Sequence, residues 1–437
     1  MKYLNKSSLE ILIKSLMAEW AELNKAEEDK LKKVRYAGPS FDSKEYTAIL
    51  DALFSNWWSG GSFSYKAEDK LAEISDRRHG LLTNSGSSAN LVLMSAAKKL
   101  YFKDNDKILT LACGFPTTVN PIISNNLIPV FCDIDLNTLN LTPEKLKEAL
   151  VDHDIKGIFV AHTLGFNSNI NEILDIARDN NIQVFFDCCD AYGTTYNNRP
   201  ITAYGKASTF SFYVAHHISM GEGGGIVTND DELQVTMRGF RNWGRYCAAT
   251  NCCIRSINPN SFCPTTKLSK NCELPEDYIV NYQYEWLGYN LKPLELQAAM
   301  LMEQIEKLPS FNEKRVYNYN RLYNIFNRYK DIFTIWTLPD EVSPFAFPIL
   351  IKDGSRFTRK HLVDAFTKNK VETRLLFGGN LLRHPAYKDT VREVSGSLSN
   401  SDKITDSLFM LGVSQVINTS HIDIIEKTLT DFVKQWK

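Results

Sequence analysis

Between about Gly80 and Asp230, short apolar runs alternate with amphipathic stretches along the chain. The runs GLLTN, KILTLAC, IPVFCDI, GIFVAH, IQVFFDCC, ASTFSFY and GGIVTND predict strands, while SSANLVLMSAAKKLYF and NINEILDIARDNN predict helices between them. This βαβ rhythm predicts an α/β fold with a mostly parallel sheet between helices. The first twenty residues carry an apolar period near 3.6 interrupted by Glu10, Lys14 and Glu19, which predicts an amphipathic helix. Residues 245–277 lack periodicity and are rich in Cys, Asn, Ser and Pro, so they read as an insertion or long loop. LELQAAMLMEQIEKL then predicts one helix, and beyond Pro309 EKRVYNYNRLYNIFNRYK predicts another, followed by short strands FAFPILI and VETRLLF and a closing helix. The expected organisation is an N-terminal helical segment over 1–60, a large α/β domain over 61–308 and a smaller α+β domain over 309–437. The run Trp57, Trp58, Ser59, Gly60, Gly61 reads as linker-like, or as the lining of a pocket.

Composition narrows the function classes. With 437 residues, 43% of them hydrophobic, the chain can bury a large core. Fifty basic residues against 51 acidic ones leave a net charge of -1, with no global attraction for nucleic acid or an anionic membrane. The N-terminal helix does not suit a secretory signal and no window is apolar enough to span a bilayer, so a cytoplasmic location is expected. Nine cysteines, an odd number, argue against a disulfide framework and leave metal ligands or buried thiols. Five of them, Cys247, Cys252, Cys253, Cys263 and Cys272, fall within 26 residues.

Three strings carry candidate chemistry. TNSGSSAN, Thr83 to Asn90, follows a strand and opens a helix; Gly86 permits close backbone approach, and Ser87 and Ser88 add hydroxyls beside free N–H groups, which suits phosphate or serves as a plain N-cap. VFFDCCDAYG places Asp187 and Asp190 at the carboxyl end of an apolar strand, where ligands of parallel sheets bind and where a carboxylate needs a cation or donors. The alternative is a pair of helix caps. STFSFYVAHHISMGEGGGIVTND gives a strand, the pair His216 and His217, and a glycine-rich turn into another strand.

Together these strings resemble the sugar aminotransferase (DegT/DnrJ/EryC1/StrS) family of fold-type I pyridoxal phosphate enzymes, over roughly Gly61 to Trp436. SGSSANL, GFPTTVNP, NLIPVF, AHTLG, DCCDA, SFYVAHHISMGEGG, LGYNL and TRLLFGGNL carry the resemblance. It implies the fold-type I transferase fold, with a mostly parallel seven-stranded sheet and a smaller α+β C-terminal domain. Where that family carries a lysine, this chain has His216, and the nearest lysine, Lys206, lies ten residues upstream. That replacement is most similar to the iron–sulfur CDP-4-keto-6-deoxyglucose 3-dehydratases; the GDP-4-keto-6-deoxymannose 3-dehydratases share the histidine without the cluster. Imidazole cannot hold the cofactor covalently but moves protons near neutral pH. The resemblance therefore implies noncovalent pyridoxamine phosphate, His216 as base, and loss of the C3 hydroxyl from a nucleotide-linked 4-keto sugar.

By the same resemblance Asp187 pairs with the pyridine nitrogen, Asp190 lies near the cofactor 3-hydroxyl, Phe115 stacks on the ring, and Gly86, Ser87 and Ser211 cradle the phosphate. Asn290 reaches that phosphate from a neighbouring subunit, which implies a homodimer. His217 reads as structural. His162, Arg374 and Asn380 are weaker substrate candidates, each with an ordinary structural alternative.

The cluster-bearing branch holds a [2Fe–2S] centre in the pattern C-x57-C-x-C-x7-C. Here 57 residues separate Cys189 from Cys247, but position 249 is Ala249, and the next thiols are Cys252, Cys253 and, after nine intervening residues, Cys263. Cys189, Cys247, Cys263 and either Cys252 or Cys253 would supply the four thiolates such a cluster needs. Structural zinc and free thiols are the rival readings. With a cluster, an NAD(P)H-dependent flavin or iron–sulfur reductase would deliver electrons; without one, the sugar product would be released with ammonia and glutamate would restore the amine. A transaminase or a silent cofactor-binding scaffold are the competing functions.

Overall fold

The computed structural model describes residues 5–28, 33–245, 273–275, 278 and 282–436. Its large sheet runs in the order His79–Thr83, Gly224–Thr228, Ala207–Ser211, Gln183–Asp187, Ile155–Ala161, Lys107–Leu111, Ile128–Cys132 and Glu393–Val394. Gly224–Thr228 is antiparallel to both of its neighbours, and the other pairings are parallel. The seven strands expected from the sequence are present, and a two-residue strand from the C-terminal region extends the edge.

Successive strand residues enter opposite cores, as the two-residue period of a pleated strand requires. Leu82, Leu109, Ile158, Val184 and Val227 pack on one face, whereas Leu81, Ile108, Phe159, Phe185 and Ile226 pack on the other against Ala89, Val92, Leu93 and Ala96 of the helix Gly86–Tyr101. Burial on both faces explains why these strands read as continuous apolar runs.

A second, antiparallel sheet pairs Phe333–Thr334, Ala346–Ile351, Leu408–Gly412 and Thr373–Arg374 in that order. Its residues Phe347, Ile349 and Phe409 belong to the same core as the first face of the large sheet. VETRLLF contributes only Thr373–Arg374 as strand.

Two local expectations are corrected. The helices on either side of Pro309 are one helix, Glu295–Asn327, because a proline inside a helix removes a single N–H donor while burial of Leu301, Ile305, Tyr319 and Leu322 holds both halves in register. The Trp57–Gly61 run is not a free linker. Buried Glu295 accepts from the N–H groups of Gly61, Phe63 and Ser64 at 2.8–3.0 Å and donates its own N–H to the Trp58 carbonyl, tying that segment to the long helix. The N-terminal helix forms over Lys6–Glu28, and no described helix is long and apolar enough to cross a membrane. Nearly all of the cysteine-rich stretch lies outside the described residues.

Candidate active site

A cavity of about 570 Å³ opens at the carboxyl ends of the parallel strands. Strand ends deliver Ala161, Asp187 and Ser211 to its wall, and the turn after Thr83 delivers Ser85, the placement expected for ligand sites in α/β sheets. Gly86, Ser87, Phe115, Cys189, Asp190, His216 and Arg374 also line it.

Two helices begin at the cavity. Ser85 caps Gly86–Tyr101 by accepting from the Ser88 N–H at 3.0 Å, and Pro116–Ser124 follows Phe115. Free N–H groups at helix starts favour an anion. Ser87 Oγ donates to Thr117 Oγ1 at 3.0 Å, bridging the two starts. Gly86 is required by packing: a Cβ there would lie 2.6 Å from Ser211 Cβ. Gly224 serves the same turn, since a Cβ on it would sit 2.3 Å from the Ser85 carbonyl. The half-exposed Phe115 ring stands 6.4 Å from Phe377 and presents an aromatic face at the cavity wall.

Asp187 is buried and held by three neutral donors. Its Oδ2 accepts from Asn90 Nδ2 at 2.8 Å and Thr118 Oγ1 at 2.7 Å, and its Oδ1 from the Cys189 N–H at 3.1 Å. No ion pair reaches it among the described residues. A carboxyl fixed in this way is suited to a cationic ligand. Asp190, three residues on, is buried with Oδ2 lacking a partner; burial, and then the Asp187 charge, push its pKa up to about 8, so it can stay protonated and donate.

His216 sits on the closed loop after Ser211. Met220 N–H donates to the Phe212 carbonyl at 3.0 Å and the His216 N–H to the Tyr213 carbonyl at 2.9 Å, which fixes the loop. His216 Nδ1 donates to the Cys189 carbonyl at 2.9 Å, so the neutral ring keeps its lone pair on Nε2. Burial lowers its pKa to about 4, and Arg315 works in the same direction. Arg315, fully buried in the long helix, donates Nη2 to the His216 carbonyl at 3.0 Å and Nη1 to the Phe345 carbonyl at 3.1 Å. His217 is completely buried and donates Nε2 to the Ser343 carbonyl at 3.2 Å, the structural role expected for it.

Other candidates fall outside the wall. His162 is buried against Phe186, with ring centroids 4.5 Å apart, because its backbone continues the strand edge and turns the side chain inward. Asn380 caps a 3-10 turn: Oδ1 accepts from the Leu382 N–H, and Nδ2 donates to Asp402 at 2.9 Å. Asn290 is exposed and accepts from Lys292 Nζ at 2.8 Å, away from the cavity of its own chain. Cys189 faces the cavity, whereas Cys247, Cys252, Cys253 and Cys263 lie outside the described residues. No group of three or more metal-ligating side chains occurs among the described residues.

Sequence reasoning missed Asn90, Thr118, Tyr36 and Arg315. Asn90 had a signal, being four residues after Gly86 on the same helix face. The others act across long sequence separations.

The family model described as "DegT/DnrJ/EryC1/StrS aminotransferase family" matches residues 39–430. Among curated proteins, the lipopolysaccharide biosynthesis protein RfbH of Salmonella typhimurium is 38% identical, covering 91% of this chain and 91% of its own. The dTDP-4-dehydro-2,6-dideoxy-D-glucose 3-dehydratase of Saccharopolyspora spinosa is 35% identical over 92% of this chain and 86% of its own. Among solved structures, a GDP-4-keto-6-deoxymannose-3-dehydratase with a trapped PLP-glutamate geminal diamine superposes with a TM-score of 0.81 at 29% identity, covering 91% of this chain and 100% of that one.

Proposed function

The chain belongs to the DegT/DnrJ/EryC1/StrS aminotransferase family, and from that premise we propose that it removes the C3 hydroxyl of a nucleotide-linked 4-keto-6-deoxyhexose, using pyridoxamine 5′-phosphate held without a covalent bond. The observation that carries this reading is the cavity wall itself. It presents a neutral, oriented His216 and, among the described residues, no lysine. A transaminase of this fold needs a lysine amine to hold and release its cofactor; imidazole instead transfers protons.

The residues present fit the cofactor. Asp187, which no cation reaches among the described residues, would face the pyridine nitrogen; the unpartnered Asp190 Oδ2 would meet the ring hydroxyl. The helix start at Gly86, with Ser85, Ser87 and Ser211, would hold the phosphate, and Phe115 would cover a ring face. When bound, the cofactor supplies an amine for the sugar ketone and a ring that accepts electrons. His216 Nε2 would take the proton given up by the cofactor and deliver it to the departing C3 oxygen, while the Cys189 carbonyl orients its ring and Arg315 holds its backbone carbonyl. Replacing Gly86 by alanine is expected to weaken cofactor affinity about tenfold or more through the collision with Ser211. Absorbance titration with the cofactor, at a temperature where the melting curve shows the variant folded, checks it.

The substrate proposed from the resemblance is the CDP-linked sugar. A [2Fe–2S] cluster on Cys189, Cys247, Cys263 and either Cys252 or Cys253 would take single electrons from an NAD(P)H-dependent reductase. The exposed position of Asn290 accords with a role in a neighbouring subunit of a homodimer. The test is anaerobic purification with iron, zinc and acid-labile sulfide analysis, followed by turnover of CDP-, dTDP- and GDP-linked keto sugars. About two iron and two sulfide per chain, with fastest turnover of the CDP sugar, are expected. Ammonia release without iron would replace the reductive course by the hydrolytic one, and a pyridoxyl group on any lysine after borohydride reduction would overturn the reading altogether.

A further inference from the structure

Tyr36 stands in the cavity wall with a hydroxyl that no described residue pairs with. Its segment is pinned from three sides. Val34 bridges Val371, the Tyr36 N–H donates to Glu372 Oε2 at 3.1 Å, and the Tyr36 carbonyl packs so closely on Gly412 that a Cβ there would lie 1.8 Å away. The ring meets Phe345 edge-on at 6.3 Å, the same phenylalanine that backs His216 at 5.1 Å, and the Arg374 guanidinium lies 5.4 Å from the ring centroid. The side chain is only 5% exposed, yet Oη has no hydrogen-bond partner among the described residues. Buried tyrosine hydroxyls are ordinarily paired, so a missing partner in a ligand cavity points to the ligand.

Burial, reinforced by the Asp190 charge, pushes the hydroxyl well above its ordinary pKa. That favours its neutral, donating form. The proposed cofactor contacts are assigned to Asp187, Asp190 and the Gly86 helix start, which leaves the sugar as the partner for a donor beside His216. Resting on the function proposed above, we infer that Tyr36 Oη donates a hydrogen bond to a hydroxyl oxygen of the bound hexose and selects substrates by that hydroxyl.

The experiment compares wild type with Tyr36→Phe, which removes one oxygen from a ring that keeps its packing. Both proteins, loaded with pyridoxamine phosphate, are titrated calorimetrically with the CDP-linked 6-deoxyhexose bearing a C4 hydroxyl in place of the ketone, with its 2-deoxy and 3-deoxy analogues, and with CDP alone. Tyr36→Phe is expected to weaken the sugar about tenfold or more and leave CDP unchanged. One deoxy analogue should show the same loss on wild type and no further loss on the variant. Equal binding of the sugar to both proteins, or an equal loss for CDP alone, overturns the inference. A wild-type protein that binds no CDP-, dTDP- or GDP-linked sugar overturns the proposed function instead.

Discussion

Replacing His216 by asparagine is expected to slow sugar turnover by about 10²–10⁴-fold, the range lost with a general base. Asparagine is close in size and can still donate to the Cys189 carbonyl, which His216 reaches at 2.9 Å. It offers no basic nitrogen where Nε2 stood. Cofactor binding should persist, because Asp187 and the Gly86 helix start are untouched, and the cofactor absorbance measures that separately from turnover. The complementary change, His216→Lys, should place an amine in the cavity that borohydride fixes to the cofactor, visible as a pyridoxyl-lysine peptide by mass spectrometry. It should also end dehydration. Full turnover by the asparagine variant would remove His216 from the proposed mechanism, whatever the family.

What the sequence made legible here was what local pattern encodes. Strand and helix periodicity placed the large sheet, and the strand-end positions of Asp187 and Ser211, with His216 on the loop beyond the latter, followed from it. Tyr36 and Arg315 carried no such signal. Arg315 reaches the His216 carbonyl across 99 positions of chain, and Tyr36 enters the wall through a segment paired with residues near 371. Only the folded chain relates these positions. His162 also follows a strand end, but its ring packs on Phe186 rather than into the cavity, which fits the structural alternative held for it. Asn380 lies in a string that resembles the family, yet both of its polar atoms serve a cap and Asp402. Pro309 misled through local rules, because the expected cost of a proline is outweighed by apolar burial on both sides of it.

The largest stability effect should come from Glu68, behind the site rather than within it. Its carboxylate is fully buried and pairs with Arg241 at 2.6 Å and Arg238 at 3.0 Å, while Oε1 also accepts from the Leu82 N–H at 3.2 Å. Arg241 in turn donates to the Leu82 carbonyl at 2.6 Å. The pair thus clamps both backbone groups of the strand residue that precedes Thr83 and the Ser85–Gly86 turn. Glu68→Ala leaves the buried Arg241 cation without this partner, which should cost about 3–5 kcal/mol of folding stability, read as a fall in the denaturation midpoint at unchanged slope. Exchanging the pair for apolar residues, Glu68→Leu with Arg241→Met, should cost less than the single change, because the more deeply buried Arg241 cation is removed with its partner and Arg238 alone loses its contact to Glu68. The two variants also separate fold from site. If the clamp positions the phosphate cradle, the double variant should still bind cofactor more weakly than wild type, since the Leu82 contacts are lost even where stability is regained; cofactor affinity equal to wild type would confine Glu68 to a purely structural role.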